Sequence, residues 1–147
     1  MKKKIAILGS TGSLGKTLIN IIKKNPNEFE IKLLTTNHNI DELITQIRIF
    51  NVKNVIVTNS DKFLEIKKIL KNKKINFYNN FNQISKILKK QKLDYTMNAI
   101  SGIYGLNPTL KIVKFTKSIA IANKESIICG WSLIKDELKK NYTKFIP

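Results

Sequence analysis

A continuous apolar run, Ile5-Ala6-Ile7-Leu8, passes directly into the turn Gly9-Ser10-Thr11-Gly12-Ser13-Leu14-Gly15, and that turn passes into a segment of helical period. This junction constrains the fold more than any other feature. A strand that is apolar without alternation is covered on both faces. Leu14, Leu18, Ile21 and Ile22 mark the apolar stripe expected of the following helix, which Asn25-Pro26 ends.

The same strand–helix unit recurs along the chain. Ile31 to Leu34 and Val55 to Val57 read as strands, with a helix between them carrying Ile40, Leu43, Ile44 and Ile47. Ser60 or Asp61 is the expected cap of a third helix bearing Phe63, Ile66, Ile69 and Leu70. A weak strand near Asn76-Phe77-Tyr78 precedes a short helix with Ile84, Ile87 and Leu88. Tyr95-Thr96-Met97 is the next strand, and Asn107-Pro108 reads as a cap followed by proline at the first helical position. Ile119 to Ala122 is a strand of small and apolar residues, followed by a helix with Ile127, Trp131, Ile134 and Leu138. Phe145-Ile146 begins a last strand. Strands that alternate with helices over short connections lie parallel, joined by right-handed crossovers. The predicted fold is therefore α/β, a doubly wound, mainly parallel sheet of the Rossmann type, with residues 1–147 forming one domain.

Composition narrows the function. The net charge is +17, nearly all from lysine, with Arg48 the only arginine. The lysines lie between apolar helical positions, as at Lys67-Lys68 and Lys89-Lys90, where they solvate helix faces. Aromatic residues do not interleave with them as base stacking requires, so a nucleic-acid partner is not expected. The opening apolar run is only four residues long and reads as a strand, not a signal peptide, and no run could span a bilayer. With a single cysteine, Cys129, no internal disulfide can form. Cys129 is expected to be a small buried hydrophobe, and a cytoplasmic setting follows.

The glycine spacing of the first turn is G-x-x-G-x-x-G. The first glycine permits the sharp exit from the strand, the second lets a phosphate approach the backbone, and the third lets the helix pack closely on the strand. Free N–H groups at the helix start favour an anion, and Thr11 and Ser13 add hydroxyls. The end of the second strand selects the nucleotide. Thr35-Thr36-Asn37-His38-Asn39 contains no acid that would accept from ribose hydroxyls and repel a 2′-phosphate. NADP(H) is the expected cofactor. Two later loops, Asn98 to Gly105 and Ala120 to Ser126, lie at the same sheet edge. Asn123 can cap the second helix and Glu125 suits its positive end. Lys124 is unfavourable there unless it meets an anion such as a substrate phosphate.

Three stretches together carry a family resemblance: the glycine turn, the run from Asn98-Ala99-Ile100 through Gly105-Leu106-Asn107-Pro108-Thr109-Leu110, and Ala122-Asn123-Lys124-Glu125-Ser126-Ile127. In order and spacing they resemble the 1-deoxy-D-xylulose 5-phosphate reductoisomerase family of the non-mevalonate isoprenoid pathway. The resemblance implies rearrangement of a phosphorylated sugar and its reduction by NADPH to 2-C-methyl-D-erythritol 4-phosphate. A divalent metal, Mg²⁺ or Mn²⁺, assists, and the full-length enzyme is a homodimer. Carried over, it assigns Thr11, Gly12, Ser13 and Leu14 to the pyrophosphate and Asn37, His38 and Asn39 to the adenosine 2′-phosphate. Asn123 and Glu125 would contact the cofactor near the nicotinamide, and Lys124 the substrate. His38 stands where several relatives have lysine, so NADPH preference would weaken as rising pH discharges the imidazole.

In that family the segment matching Phe145-Ile146-Pro147 continues into an Asp-Ser-Glu motif that binds metal and substrate. The metal ligands are accordingly expected outside these residues, and the 147 residues alone are expected to be inactive. A non-catalytic nucleotide-binding remnant and a basic nucleic-acid binder are the competing readings.

Overall fold

Both faces of the opening strand are apolar because both are covered. The structure, a computed structural model describing residues 1–147, places Ile5 and Ile7 in one buried core and Ala6 and Leu8 in another. The strands are β1 (Lys3–Leu8), β2 (Phe29–Thr36), β3 (Asn54–Val57), β4 (Asn76–Tyr78), β5 (Tyr95–Asn98), β6 (Ser118–Ile121) and β7 (Lys144–Ile146). All neighbours pair in parallel, in the order β4-β3-β2-β1-β5-β6-β7. The chain winds outward from β1 to β4, then returns to the other side of β1. Connections leaving β1 and β5 go to opposite faces, and this switch opens a crevice at the carboxyl ends of the strands.

The helices are α1 (Ser13–Lys24), α2 (Ile40–Phe50), α3 (Ser60–Ile69), α4 (Ile84–Leu88), α5 (Leu106–Ile112) and α6 (Lys124–Lys140). On the Ile5/Ile7 face, Ile19 and Ile22 of α1, Leu43 and Ile47 of α2 and Ile66 of α3 close the first core. On the Ala6/Leu8 face, Ile84 and Leu88 of α4, Ile112 of α5, and Ile134 and Leu138 of α6 close the second. Each fully buried Leu or Ile contributes roughly 1.5–3 kcal/mol. No helix is long and apolar enough to cross a membrane.

Several local expectations need correction. In α1 the buried stripe is Gly15, Ile19 and Ile22, while Leu14 and Ile21 face outward at 51% and 50% exposure. The need to seat Gly15 against the turn fixes the helix rotation and carries Leu14 and Ile21 off the core side. The cap of α3 is neither Ser60 nor Asp61 but Asn59, whose Oδ1 accepts from the Lys62 N–H at 3.0 Å. Asn107 does not cap α5. A short 3-10 turn, Ile103–Gly105, precedes Leu106, and Pro108 falls later in the first turn, where its missing N–H costs no helical bond. Cys129 is exposed. The inward stripe of α6 is Ser126, Gly130, Ile134 and Leu138, and Cys129 and Ile128 lie off it.

Candidate functional site

Gly9 leaves β1 with φ +74°, and a Cβ there would meet the backbone of Ala99 and Ile100 at 3.0 Å. The turn is then pinned to β2. The Gly9 N–H donates to Thr35 Oγ1 at 2.9 Å, the Ser10 N–H to the Thr35 carbonyl at 3.0 Å, and Gln46 Nε2 to the Ser10 carbonyl at 3.0 Å. Thr11 and Thr36 share a hydroxyl hydrogen bond of 2.6 Å. Ser10, Thr35 and Gln46 are buried, so these bonds are made away from water and hold the loop rigidly.

Helix α1 begins differently from its counterparts. Asn39, Asn59 and Asn123 cap α2, α3 and α6 through their side chains, and each of those helices has an acid in its first turn. Gly12 gives α1 no side-chain cap, and α1 has no acid in its first turn. No protein acceptor meets the N–H groups of Ser13, Leu14 and Gly15. A Cβ on Gly12 would meet nothing nearer than 3.6 Å, so the room above its backbone is open. Three free donors and a helix dipole at an open surface are what an anion site requires.

At the end of β2, Asn37 Nδ2 donates to Thr58 Oγ1 at 2.8 Å, and its Oδ1 faces His38 Nδ1 in a short contact. The contact turns the His38 ring into the wall of the larger cavity. Asn39 Oδ1 caps α2 by accepting from the Glu42 N–H at 3.3 Å.

The far wall comes from β5 and β6. Asn98 is fully buried. Its Nδ2 donates to the Gly105 carbonyl at 2.8 Å and to Thr109 Oγ1 at 2.7 Å, while its Oδ1 accepts from the Ile100 N–H at 3.1 Å. One side chain thus closes the loop between β5 and α5. Asn123 accepts from the Ser126 N–H at 3.0 Å, leaving its buried Nδ2 without a partner. Lys124 and Glu125 are exposed, and Lys124 takes part in none of the ion pairs of the chain.

These walls enclose two adjoining cavities. The larger, about 920 Å³, is lined by Thr11, Gly12, Asn37, His38 and Asn39. The smaller, about 290 Å³, is lined by Leu14, Asn123, Lys124 and Glu125. Ala99, Ile100 and Ser101 belong to both, so the two form one bent groove across the switch point. The structure therefore brings together every residue singled out in the sequence except Ser13. Ser13 is exposed at the first position of α1 and lines neither cavity, although its N–H is one of the three free donors. The sequence placed Thr35 and Thr36 at the nucleotide-selecting strand end but did not reveal that they pin the turn, and it missed Gln46 and the full role of Asn98; the partners lie 25 or more residues away or across a loop.

The ionisable groups with shifted pKa values lie elsewhere. Asp94, just before β5 at the opposite end of the sheet, is held below the usual carboxylate range. It accepts a hydrogen bond from the Lys117 ammonium and another from the Lys4 N–H.

The model of the 1-deoxy-D-xylulose 5-phosphate reductoisomerase family matches residues 5–130, spanning the glycine turn, the Asn98 loop and the start of α6. The chain belongs to that family. A reductoisomerase of Pelagibacter ubique is 59% identical over 146 residues, covering 99% of this chain and 38% of that protein. The reductoisomerase of Zymomonas mobilis, solved in complex with NADPH, superposes with a TM-score of 0.90 at 26% identity, over 100% of this chain and 38% of that one. A reductoisomerase solved with NADPH, fosmidomycin and magnesium gives a TM-score of 0.89 at 26% identity, over 99% of this chain and 36% of that one. The chain thus spans about 38% of the length of the reductoisomerases it matches by sequence.

Proposed function

We propose that this chain binds NADPH along the bent groove and supplies the cofactor-binding part of a reductoisomerase. That enzyme converts 1-deoxy-D-xylulose 5-phosphate to 2-C-methyl-D-erythritol 4-phosphate in isoprenoid biosynthesis. The observation that carries the reading is the uncapped start of α1, with three unpaired N–H groups beside an open glycine. Thr11, Gly12, Ser13 and Leu14 hold the pyrophosphate through backbone donors. Asn37, His38 and Asn39 surround the 2′-phosphate, in a cavity whose lining holds no carboxylate. Asn123 and Glu125, in the lining of the smaller cavity, orient the nicotinamide end. Lys124, a cation at the positive end of α6 without an acidic partner, receives an anionic group of the phosphorylated sugar.

A divalent metal supplies polarisation of the substrate oxygens during rearrangement. No three His, Cys, Asp or Glu side chains of this chain converge to hold one, so none of the roles above runs through it. A cytoplasmic setting and homodimerisation of the whole enzyme complete the reading, the latter open to measurement by sedimentation.

Titration of the chain with NADPH, NADH and duplex DNA tests the proposal. NADPH should bind more tightly than NADH, and DNA should bind only at low salt. Equal affinity for the two dinucleotides removes the 2′-phosphate assignment. Failure to bind either, beside tight DNA binding at physiological salt, removes the proposal and favours the nucleic-acid reading.

A further inference from the structure

Two aromatic side chains of the larger cavity have no role in the scheme above. Phe81 enters from the connection after β4, and Tyr104 from the loop after β5. Tyr104 is 82% exposed, and its hydroxyl makes no hydrogen bond within the protein. Packing therefore does not explain a tyrosine at this rim. Its backbone is nonetheless fixed. Gly102 bends the chain with φ +71°, the 3-10 turn Ile103–Gly105 follows, and Asn98 anchors the Gly105 carbonyl. Phe81 is half-buried, with part of its ring against the second core. Both residues also line a neighbouring cavity of about 530 Å³, so together they form the ridge between the two spaces.

The groove's polar groups set what meets this ridge. With the pyrophosphate at α1 and the 2′-phosphate at Asn37 and His38, the base on that same ribose must fall on the Phe81 and Tyr104 side of the larger cavity. A purine offers a flat π-face, which aromatic rings take up without any demand for matched hydrogen bonds. We propose that Phe81 and Tyr104 clamp the adenine of the dinucleotide, making them affinity-determining residues; this rests on the NADPH reading above.

The test measures binding of NADPH, adenosine 2′,5′-bisphosphate and reduced nicotinamide mononucleotide to the chain and its variants. Tyr104→Ala and Phe81→Ala should each weaken NADPH and the bisphosphate roughly tenfold or more, leaving the mononucleotide unchanged. Tyr104→Phe, which keeps the ring, should bind like the parent. Circular dichroism melts of Tyr104→Ala should match the parent, since that side chain is largely exposed and belongs to neither core. Unchanged bisphosphate affinity in Tyr104→Ala, or failure of Tyr104→Phe to restore it, overturns the clamp. If the unaltered chain binds NADPH while the alanine variants bind it equally well, only the clamp falls. If the unaltered chain binds no dinucleotide, the reading beneath it falls as well.

Discussion

The Cβ that Gly15 lacks would stand 2.3 Å from the carbonyl oxygen of Gly9. The first turn of α1 therefore rests directly on the bend that leaves β1, and the three free N–H groups owe their position to this contact. Gly15→Ala must push helix and turn apart, because the obstacle is backbone. The expected cost is about 3 kcal/mol of stability, read as a fall in Tm of roughly 5–10 °C, together with loss of NADPH binding. Gly12→Ala is the contrast. Its nearest neighbour would be 3.6 Å away, so the variant should fold with a Tm within a few degrees of the parent. Its methyl group would occupy the space left for a phosphate, raising the Kd for NADPH. A Gly12→Ala variant with unchanged affinity would place the pyrophosphate elsewhere.

Asn98 serves three hydrogen bonds from one fully buried amide. Asn98→Ala leaves the Ile100 N–H without its side-chain acceptor and frees the loop that forms the wall common to both cavities. The expected destabilisation is about 2–3 kcal/mol by urea unfolding, with weaker NADPH binding in the fraction that remains folded.

His38 lines the larger cavity beside Asn37, whose Oδ1 engages its Nδ1. If the 2′-phosphate lies there, His38→Ala should weaken NADPH binding several-fold and leave NADH affinity level, measured by titration of both dinucleotides. An equal loss for the two dinucleotides would exclude the assignment.

Asp94 gives the fold an acid-sensitive contact. Its carboxyl is lowered by the hydrogen bond from Lys117 and then by that from the Lys4 N–H. A folded-state pKa below the unfolded one means that the contribution is complete above about pH 4 and disappears as pH falls through the folded value. With Lys117 well exposed, the stability involved is about 1 kcal/mol. Asp94→Asn should lower stability at pH 7 by that amount and leave a shallower loss between pH 5 and 3, measured by urea titration at each pH.

How much of this could be read in advance depended on the range of the interaction. The run Ile5 to Leu8 and the glycines after it report a covered strand and a tight turn within a dozen residues, and those expectations held. Asn59-Ser60-Asp61 offers three cap-competent side chains in succession, and local preference cannot choose among them; the structure chose Asn59. The face of α1 depended on Gly15 meeting Gly9, a contact that rotates Leu14 outward against its apolar character. Cys129 was placed by residue type, yet its position between the buried Ser126 and Gly130 sets it off the inward stripe. The bonds from Thr35 and Gln46 to the turn cross 25 residues or more, and no periodicity announces them. The candidate site was legible because its residues cluster at strand ends, but the scaffolding that stiffens it was not.

The strand order has one more result. One side of the groove is built from residues 9–39 and the other from residues 98–125, and they meet only because β5 returns to lie beside β1 after three strands have been laid on its other side. A ligand that spans the groove is therefore a fastener between early and late portions of the polypeptide. Nucleotide affinity reports the integrity of the entire sheet, and saturating ligand should protect segments far from any atom it touches.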